Sequence, residues 1–289
     1  FTSTFLRATI ADDTWVLGRL AGAPAERPER RPAAVVALPA SHERAVVAIP
    51  ERIDPAVFPV AVRKVVIDPG HGGENLGTTG PGGLVEKELT LDIAGRLREL
   101  LEESAFHVVM TRTEDEELSL EERAREANQS QGDIFVSIHV NWLETKQVRG
   151  VETYYLGATD DPYLTALAAS ENQGSGYSLA DLRDLIEEVY ANARQGESQR
   201  LASEVQRSLY RSLWARDQDL QDRGVKTAPF GVLIRTGMPA ILAEVACLSN
   251  EEEARLLMTA EYRQYIAEAL HDGIESYSQR LSQRSQIGS

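Results

Sequence analysis

From residue 63 onward, short and mainly apolar runs alternate with stretches of helical period, and this alternation restricts the fold more than any other feature. The runs at 65–68, 106–111, 134–140, 150–156, 231–234 and 240–245 read as strands. A strand that is apolar at consecutive positions is buried on both faces, the habit of parallel strands with helices above and below. Residues 86–102 carry Leu89, Ile93, Leu97 and Leu101 on one helical face. Residues 119–128 open with Ser-Leu-Glu-Glu, which places Glu122 three positions after Ser119 as a capping box requires. Helical period dominates 163–217, and helices at 251–259 and 261–280 close the chain. The expected class is α/β, a central, mostly parallel twisted sheet flanked by helices.

Ahead of this pattern the composition differs. Seven of the twelve prolines fall in the first 62 residues, which hold seven acidic and seven basic side chains. The expected division is an irregular Pro-rich extension over 1–62 and a folded domain over 63–289. Residues 23–32 read as an extended Pro/Arg-rich linker. Short β-like runs at 14–17 and 45–49 could pair with a sheet edge. With 30 Lys and Arg against 45 Asp and Glu, the net charge is −15 and belongs entirely to residues 63–289. Such a surface repels phosphate backbones, which argues against nucleic acid as a partner. No apolar run approaches the ~20 residues needed to span a bilayer. The single cysteine, Cys247, excludes an internal disulfide framework and a four-cysteine zinc site. A chain opening at Phe1 reads as processed or truncated.

Four segments carry polar groups where the pattern does not call for them. Val65-Val66-Ile67-Asp68 ends abruptly in Pro-Gly-His-Gly-Gly, which exposes His71 among glycines that let a ligand approach the backbone. The dinucleotide-binding order of glycines and the P-loop Lys-Ser/Thr are both missing. Glu86 opens the following helix, either as a first-turn acid complementing the dipole or as a hard ligand facing the loop. In Phe135-Val136-Ser137-Ile138-His139-Val140-Asn141 an imidazole interrupts an apolar strand. Each feature alone has a bland explanation: an incidental turn, a dipole partner, a hydrogen-bonded core histidine. Together, two His and one Glu at one edge of an α/β sheet have the composition of catalytic zinc sites. Imidazole ligands favour zinc over magnesium.

The fourth segment is Ala240-Ile241-Leu242-Ala243-Glu244-Val245-Ala246-Cys247-Leu248-Ser249-Asn250. Glu244 is costly to bury unpaired, so it is either salt-bridged or poised as a general base. Ser249 or Asn250 caps the next helix. Cys247 reads as a small buried residue, since no cation adjoins it. Asn141 is a candidate substrate contact or a plain strand-end residue.

Taken in order, these segments resemble the zinc-dependent N-acetylmuramoyl-L-alanine amidases, bacterial cell-wall hydrolases used in cell separation. The similarity covers roughly residues 63–280 and includes Ile67 to Gly73, Glu86-Lys87, Leu91 to Ala94, Thr111-Arg112, Leu120 to Ala124, Ser137 to His139 and Leu242 to Asn250. It implies one Zn²⁺ per chain on His71, Glu86 and His139, with Glu244 as the catalytic carboxylate. It implies hydrolysis of the amide joining the lactyl group of N-acetylmuramic acid to L-alanine in peptidoglycan, outside the cytoplasmic membrane, in the periplasm or cell envelope. It further implies that residues 178–193 form a regulatory helix, plugging the site with Glu188 or Glu187 until an activator protein displaces it; the alternative is an ordinary surface helix. Two other classes compete: a non-catalytic wall-binding regulatory homologue, and another zinc hydrolase such as a peptidase or deacetylase.

Overall fold

The apolar runs at 65–68, 134–140 and 240–245 become the buried centre of a six-stranded sheet. The computed structural model describes residues 9–11, 14–16, 61–172 and 193–287. Two units separate, Phe1–Ala48 and Ile49–Ser289. In the first, β1 (Thr9–Ala11) and β2 (Thr14–Val16) pair antiparallel with each other. Residues 23–32 and 45–49 lie outside the described residues, as do 178–193 but for the last.

In the second unit the sheet comprises β3 (Lys64–Pro69), β4 (His107–Met110), β5 (Ile134–Asn141), β6 (Val151–Leu156), β7 (Asp222–Ala228) and β8 (Ala240–Cys247). Their spatial order is β4-β3-β5-β8-β6-β7. β4, β3, β5 and β8 run parallel, β6 is antiparallel to β8, and β7 is parallel to β6. The sheet is mostly parallel as expected, with one reversal. The helices are α1 (Glu86–Glu103), α2 (Leu120–Gln129), α3 (Pro162–Glu171), α4 (Ala193–Trp214), α5 (Gly231–Ile234), α6 (Glu251–Leu257) and α7 (Ala260–Ile287).

Side chains alternate across the sheet, and parity sorts them into two cores. Val65, Ile67, Ile134, Val136, Ile138, Ile241 and Ala243 pack with α1, α4 and α7 on one face. Val66, Phe135, Tyr154, Ala240 and Leu242 face the opposite way, toward α2, α3 and α5. The same parity sends Asp68, Ser137, His139, Glu152 and Glu244 to this second face. The polar interruptions of four strands therefore share one side of the sheet.

Local signals operate as anticipated at several ends. Ser119 Oγ accepts from Glu122 N at 3.2 Å while Glu122 Oε2 accepts from Ser119 N at 2.9 Å, completing the capping box. Asn250 Oδ1 caps α6 by accepting from Glu252 N and Glu253 N. Two assignments differ. Residues 231–234, expected as a strand, form the short helix α5, all four of them buried; an apolar run of four has no period that separates helix from strand. The strand Asp222–Ala228 was not expected, because as an edge strand it pairs on one side only and is mainly half-buried and polar.

Behind the sheet edge, fully buried Glu253 accepts from Gly150 N at 3.0 Å and Cys247 N at 2.9 Å. Burial lifts its carboxyl from the ordinary 4.5 to about 7, against the pull of those two amides. A carboxyl raised on folding contributes stability below its unfolded pKa and loses it as pH rises through the folded value. Thermal melts of the wild type should therefore fall between about pH 5 and 8, and Glu253→Gln should flatten that fall. An unchanged slope in the variant would contradict this origin.

Candidate active site

His71 stands directly beyond β3 in a left-handed backbone conformation, φ 60°. Such a conformation is uncommon for a side chain larger than glycine and persists where the surroundings over-determine it. Here two buried guanidiniums grip the carbonyls around it. Arg123 donates to Pro69 O and His71 O, both at 2.7 Å. Arg112 donates to Pro69 O at 3.0 Å, and to Gly70 O and Lys87 O at 2.8 Å. Arg123 is itself fixed by Asp68 at 2.8 Å, whose carboxylate also accepts from Thr111 Oγ1 and Ser137 Oγ. Burial opposes the Asp68 charge, but Arg123 and these hydrogen bonds hold its pKa below the ordinary value. Lys87 secures the next turn, donating to Gly73 O and Asp115 Oδ2, each at 2.7 Å.

Glu86 enters from the start of α1 and is buried. Its Oε2 accepts from Thr78 N at 2.8 Å and its Oε1 from Val140 N at 2.9 Å. The same Oε1 lies 3.1 Å from His71 Nε2 and 3.2 Å from His139 Nδ1. The three donor atoms fall within 4.8 Å of one another. Two glycines permit the approach: a Cβ at Gly70 would meet the His139 ring at 2.6 Å, and one at Gly77 would meet Glu86 Oε2 at 2.6 Å. The three residues expected as a ligand set are thus brought together.

Their chemistry fits a zinc ion. His71 Nε2 and His139 Nδ1 are buried and lie 3.1 and 3.2 Å from the same Glu86 oxygen, so both nitrogens face one shared point. His71 Nδ1 pairs with Asn75 Oδ1 at 3.0 Å, an outer contact that sets the ring and leaves Nε2 as the donor. Burial disfavours a charged His71, yet Glu86 and Glu171 lift it to about 9. Burial likewise opposes the Glu86 charge, and the two imidazoles hold that carboxyl well below its usual range. The site draws positive charge.

Glu244, on β8, is paired in register with His139 on one side and with Glu152 on the other. It is buried, and its Oε2 has no hydrogen-bond partner among the described residues. Burial first, then the charges of Glu86, Glu171 and Glu152, push its pKa well above the ordinary carboxylate value. Cys247 is buried as expected, and burial pushes its thiol upward too. Asn141 is buried; its amide donates to Glu152 Oε1 at 2.5 Å and to Tyr163 OH at 3.1 Å. It does not line the cavity of about 370 Å³ that opens over His71, His139, Asp68 and Arg123.

One carboxylate at the centre went unanticipated. Glu171, the last residue of α3, places Oε2 3.3 Å from His139 Nδ1 and 3.5 Å from His71 Nε2. The next residue anchors it: Asn172 donates to Pro229 O at 2.9 Å and accepts from Gly231 N at 2.6 Å. Nothing in its neutral surroundings, Ala-Ala-Ser-Glu-Asn, marks Glu171 as a site residue. Glu187 and Glu188 lie outside the described residues. Arg112, Arg123 and Asp68 were visible only as members of motifs, without a role.

The outer contacts of His71 carry a testable weight. Arg123→Lys removes the two-pronged grip on Pro69 and His71 and should weaken zinc affinity roughly 10- to 100-fold, the usual cost of an outer contact. Competition with a chromophoric chelator measures this; unchanged affinity would mean that the loop holds its shape without Arg123.

Known proteins resemble this chain in sequence and fold. Residues 65–276 match the family described as N-acetylmuramoyl-L-alanine amidase. The N-acetylmuramoyl-L-alanine amidase LytC of Bacillus subtilis (strain 168) is 36% identical over 219 residues, covering 76% of this chain and 36% of LytC. The chain thus spans about a third of that relative's length. The amidase AmiA of Escherichia coli (strain K12) is 30% identical over 220 residues, 74% of this chain and 76% of AmiA. The crystal structure of an N-acetylmuramoyl-L-alanine amidase from Clostridium difficile 630 superposes with a TM-score of 0.58 at 30% identity, covering 75% of this chain and 97% of that one. With most of the folded unit matched, this chain belongs to the N-acetylmuramoyl-L-alanine amidase family.

Proposed function

We propose that the chain hydrolyses the amide between the lactyl group of N-acetylmuramic acid and L-alanine in peptidoglycan, releasing stem peptides for wall remodelling and cell separation. The observation that carries this reading is the convergence of His71 Nε2, His139 Nδ1 and Glu86 Oε1 within 4.8 Å, beside a buried Glu244. Those three residues would hold one Zn²⁺. Bound there, zinc supplies Lewis acidity, polarising the scissile carbonyl and acidifying water. Glu244 takes the proton of the attacking water as its oxygen adds to the carbonyl carbon. The C–N bond then breaks and Glu244 returns the proton to the alanine nitrogen, leaving a carboxylic acid and an amine. Arg112, Arg123 and Lys87 keep the His71 loop in place throughout. Asn141, tied to Glu152 and Tyr163, acts through that network rather than on substrate directly.

Glu171 supports a blocked resting state. Its carboxylate stands at the two imidazole nitrogens where water and substrate have to enter, so α3 must shift before turnover. Glu171 thereby takes a plugging role of the kind that the resemblance implies for Glu187 or Glu188, which lie outside the described residues. An activator protein displacing the segment that follows α3 would relieve it. A similar structure, that of the CwlD amidase from Clostridioides difficile, is in complex with the GerS lipoprotein (26% identity, TM-score 0.58, 74% of this chain and 98% of that one). The substrate places the enzyme outside the cytoplasmic membrane, in the periplasm or cell envelope. Among the described residues no helix is long and apolar enough to cross a membrane.

Digestion of purified wall tests the reading. Stem peptides with a free L-alanine amine should appear, stop after chelation and return with added zinc. New free amines on the sugars would indicate a deacetylase, cleavage within the peptide a peptidase, and binding without products a non-catalytic module.

A further inference from the structure

The row of polar residues does not stop at Glu244. Across the antiparallel β8–β6 pair, Glu244 stands opposite Glu152, and directly opposed residues share one face. Glu152 is fully buried and collects four groups: Asn141 Nδ2, Tyr163 OH, Lys226 Nζ, and the Arg223 side chain, whose Nε lies 3.1 Å away. Arg223 and Lys226 both come from the edge strand β7. One carboxylate thus faces two cations, leaving a local surplus of one positive charge in a chain of net charge −15. Both cations retain contact with solvent, with side chains 17% and 27% exposed.

The surplus lies at a useful distance. β7 is the second strand beyond β8, so its backbone is about 10 Å from that of Glu244 at ~4.8 Å per strand. In a substrate cut at the alanine nitrogen, the next residue's carboxyl groups lie roughly 6–8 Å along the peptide, one Cα step of ~3.8 Å plus a short arm. A long cationic side chain closes the remainder.

Resting on the amidase reading, we infer that Arg223 and Lys226 form a subsite for a free carboxylate on the residue after L-alanine, and so select acidic over amidated stem peptides. Glu152 is the positioning residue of this subsite: it keeps both cations extended along the sheet face and is not itself a contact for the anion. Guanidinium and ammonium bind carboxylate through charge-assisted hydrogen bonds, which an amide does not offer. Pairing to buried Glu152 orders the two side chains before substrate arrives, lowering the entropy lost on binding.

The test compares N-acetylmuramoyl-L-alanyl-D-glutamate with the same compound carrying both glutamate carboxyls as carboxamides. Wild-type kcat/KM should favour the acid roughly tenfold or more, chiefly through KM, the worth of one charge-assisted contact of about 1.4 kcal/mol or above. Arg223→Gln and Lys226→Gln should each remove most of this preference by raising KM for the acid well beyond that for the amide. Arg223→Lys, which keeps the charge, should restore part of it. Should a neutral variant melt early, the triple variant Glu152→Gln/Arg223→Gln/Lys226→Gln removes the buried charge together with both of its partners and supplies the same comparison. Equal rates on acid and amide by the wild type, or equal losses on both by the variants, would overturn the subsite. If neither compound is cut, calorimetry with zinc-loaded wild type decides: tighter binding of the acid that is lost in Arg223→Gln upholds the subsite while the amidase reading fails, and equal binding refutes it.

Discussion

Glu244→Gln should leave a protein that folds and binds zinc yet hydrolyses wall amide roughly a thousandfold more slowly, the scale on which a positioned acid–base group acts. The substitution preserves shape and removes only the capacity to accept and return a proton. Zinc should be retained, since His71, Glu86 and His139 meet without help from Glu244. Stability should hold or rise, because Glu244 is buried among the charges of Glu86, Glu171 and Glu152, and deleting one of several crowded acids relieves repulsion. Metal analysis, thermal melting and stem-peptide release separate the three effects. Retained activity would remove Glu244 from the mechanism; loss of zinc as well would recast it as part of the binding set.

The second large effect has the opposite sign. Glu171→Gln should raise basal hydrolysis, by roughly tenfold if the blocked arrangement is favoured by about 1.4 kcal/mol, and further for a stronger bias. The glutamine keeps the volume and the end of α3, and the Asn172 contacts to Pro229 and Gly231 are undisturbed. What disappears is the negative charge that holds the side chain against the two imidazoles. An unchanged or lower rate, with a normal melt, would show that Glu171 assists the site instead of occluding it.

These residues differ in how visible they are before folding is known. His139 and Glu244 each break an otherwise apolar strand, and burying a polar group without purpose is expensive; the interruption is itself the signal. His71 is flagged by the glycines around it. Glu86 is ambiguous, because any first-turn acid gains from the helix dipole, and only its meeting with both imidazoles decides. Glu171 carries no signal at all: an acid at the end of a neutral helix acquires its role from where α3 lies. Glu152 lies inside an expected strand and carries no signal of its own, since its partners Arg223 and Lys226 lie some seventy residues away on a strand too polar to be recognised. The segment 231–234 belongs to the same class: its first residue, Gly231, packs against Asn172 and Leu120, both distant in sequence.

The reversed strand β6 has a consequence for how such an enzyme can diversify. In an all-parallel sheet every loop bordering the crevice follows a strand. Here β6 and β7 present their beginnings at the same edge, so the connection from β5 to β6, residues 142–150, and the one that precedes β7, residues 215–221, reach the sheet edge from which the loops after β3 and β8 leave. Of the residues proposed for hydrolysis, His71, His139 and Glu244 stand on the forward strands or just beyond them, and Glu86 at the start of α1; the reversed pair carries Glu152, Arg223 and Lys226. Peptide preference can therefore drift through one third of the sheet while the chemistry stays anchored in the other two, a division of labour written into strand direction.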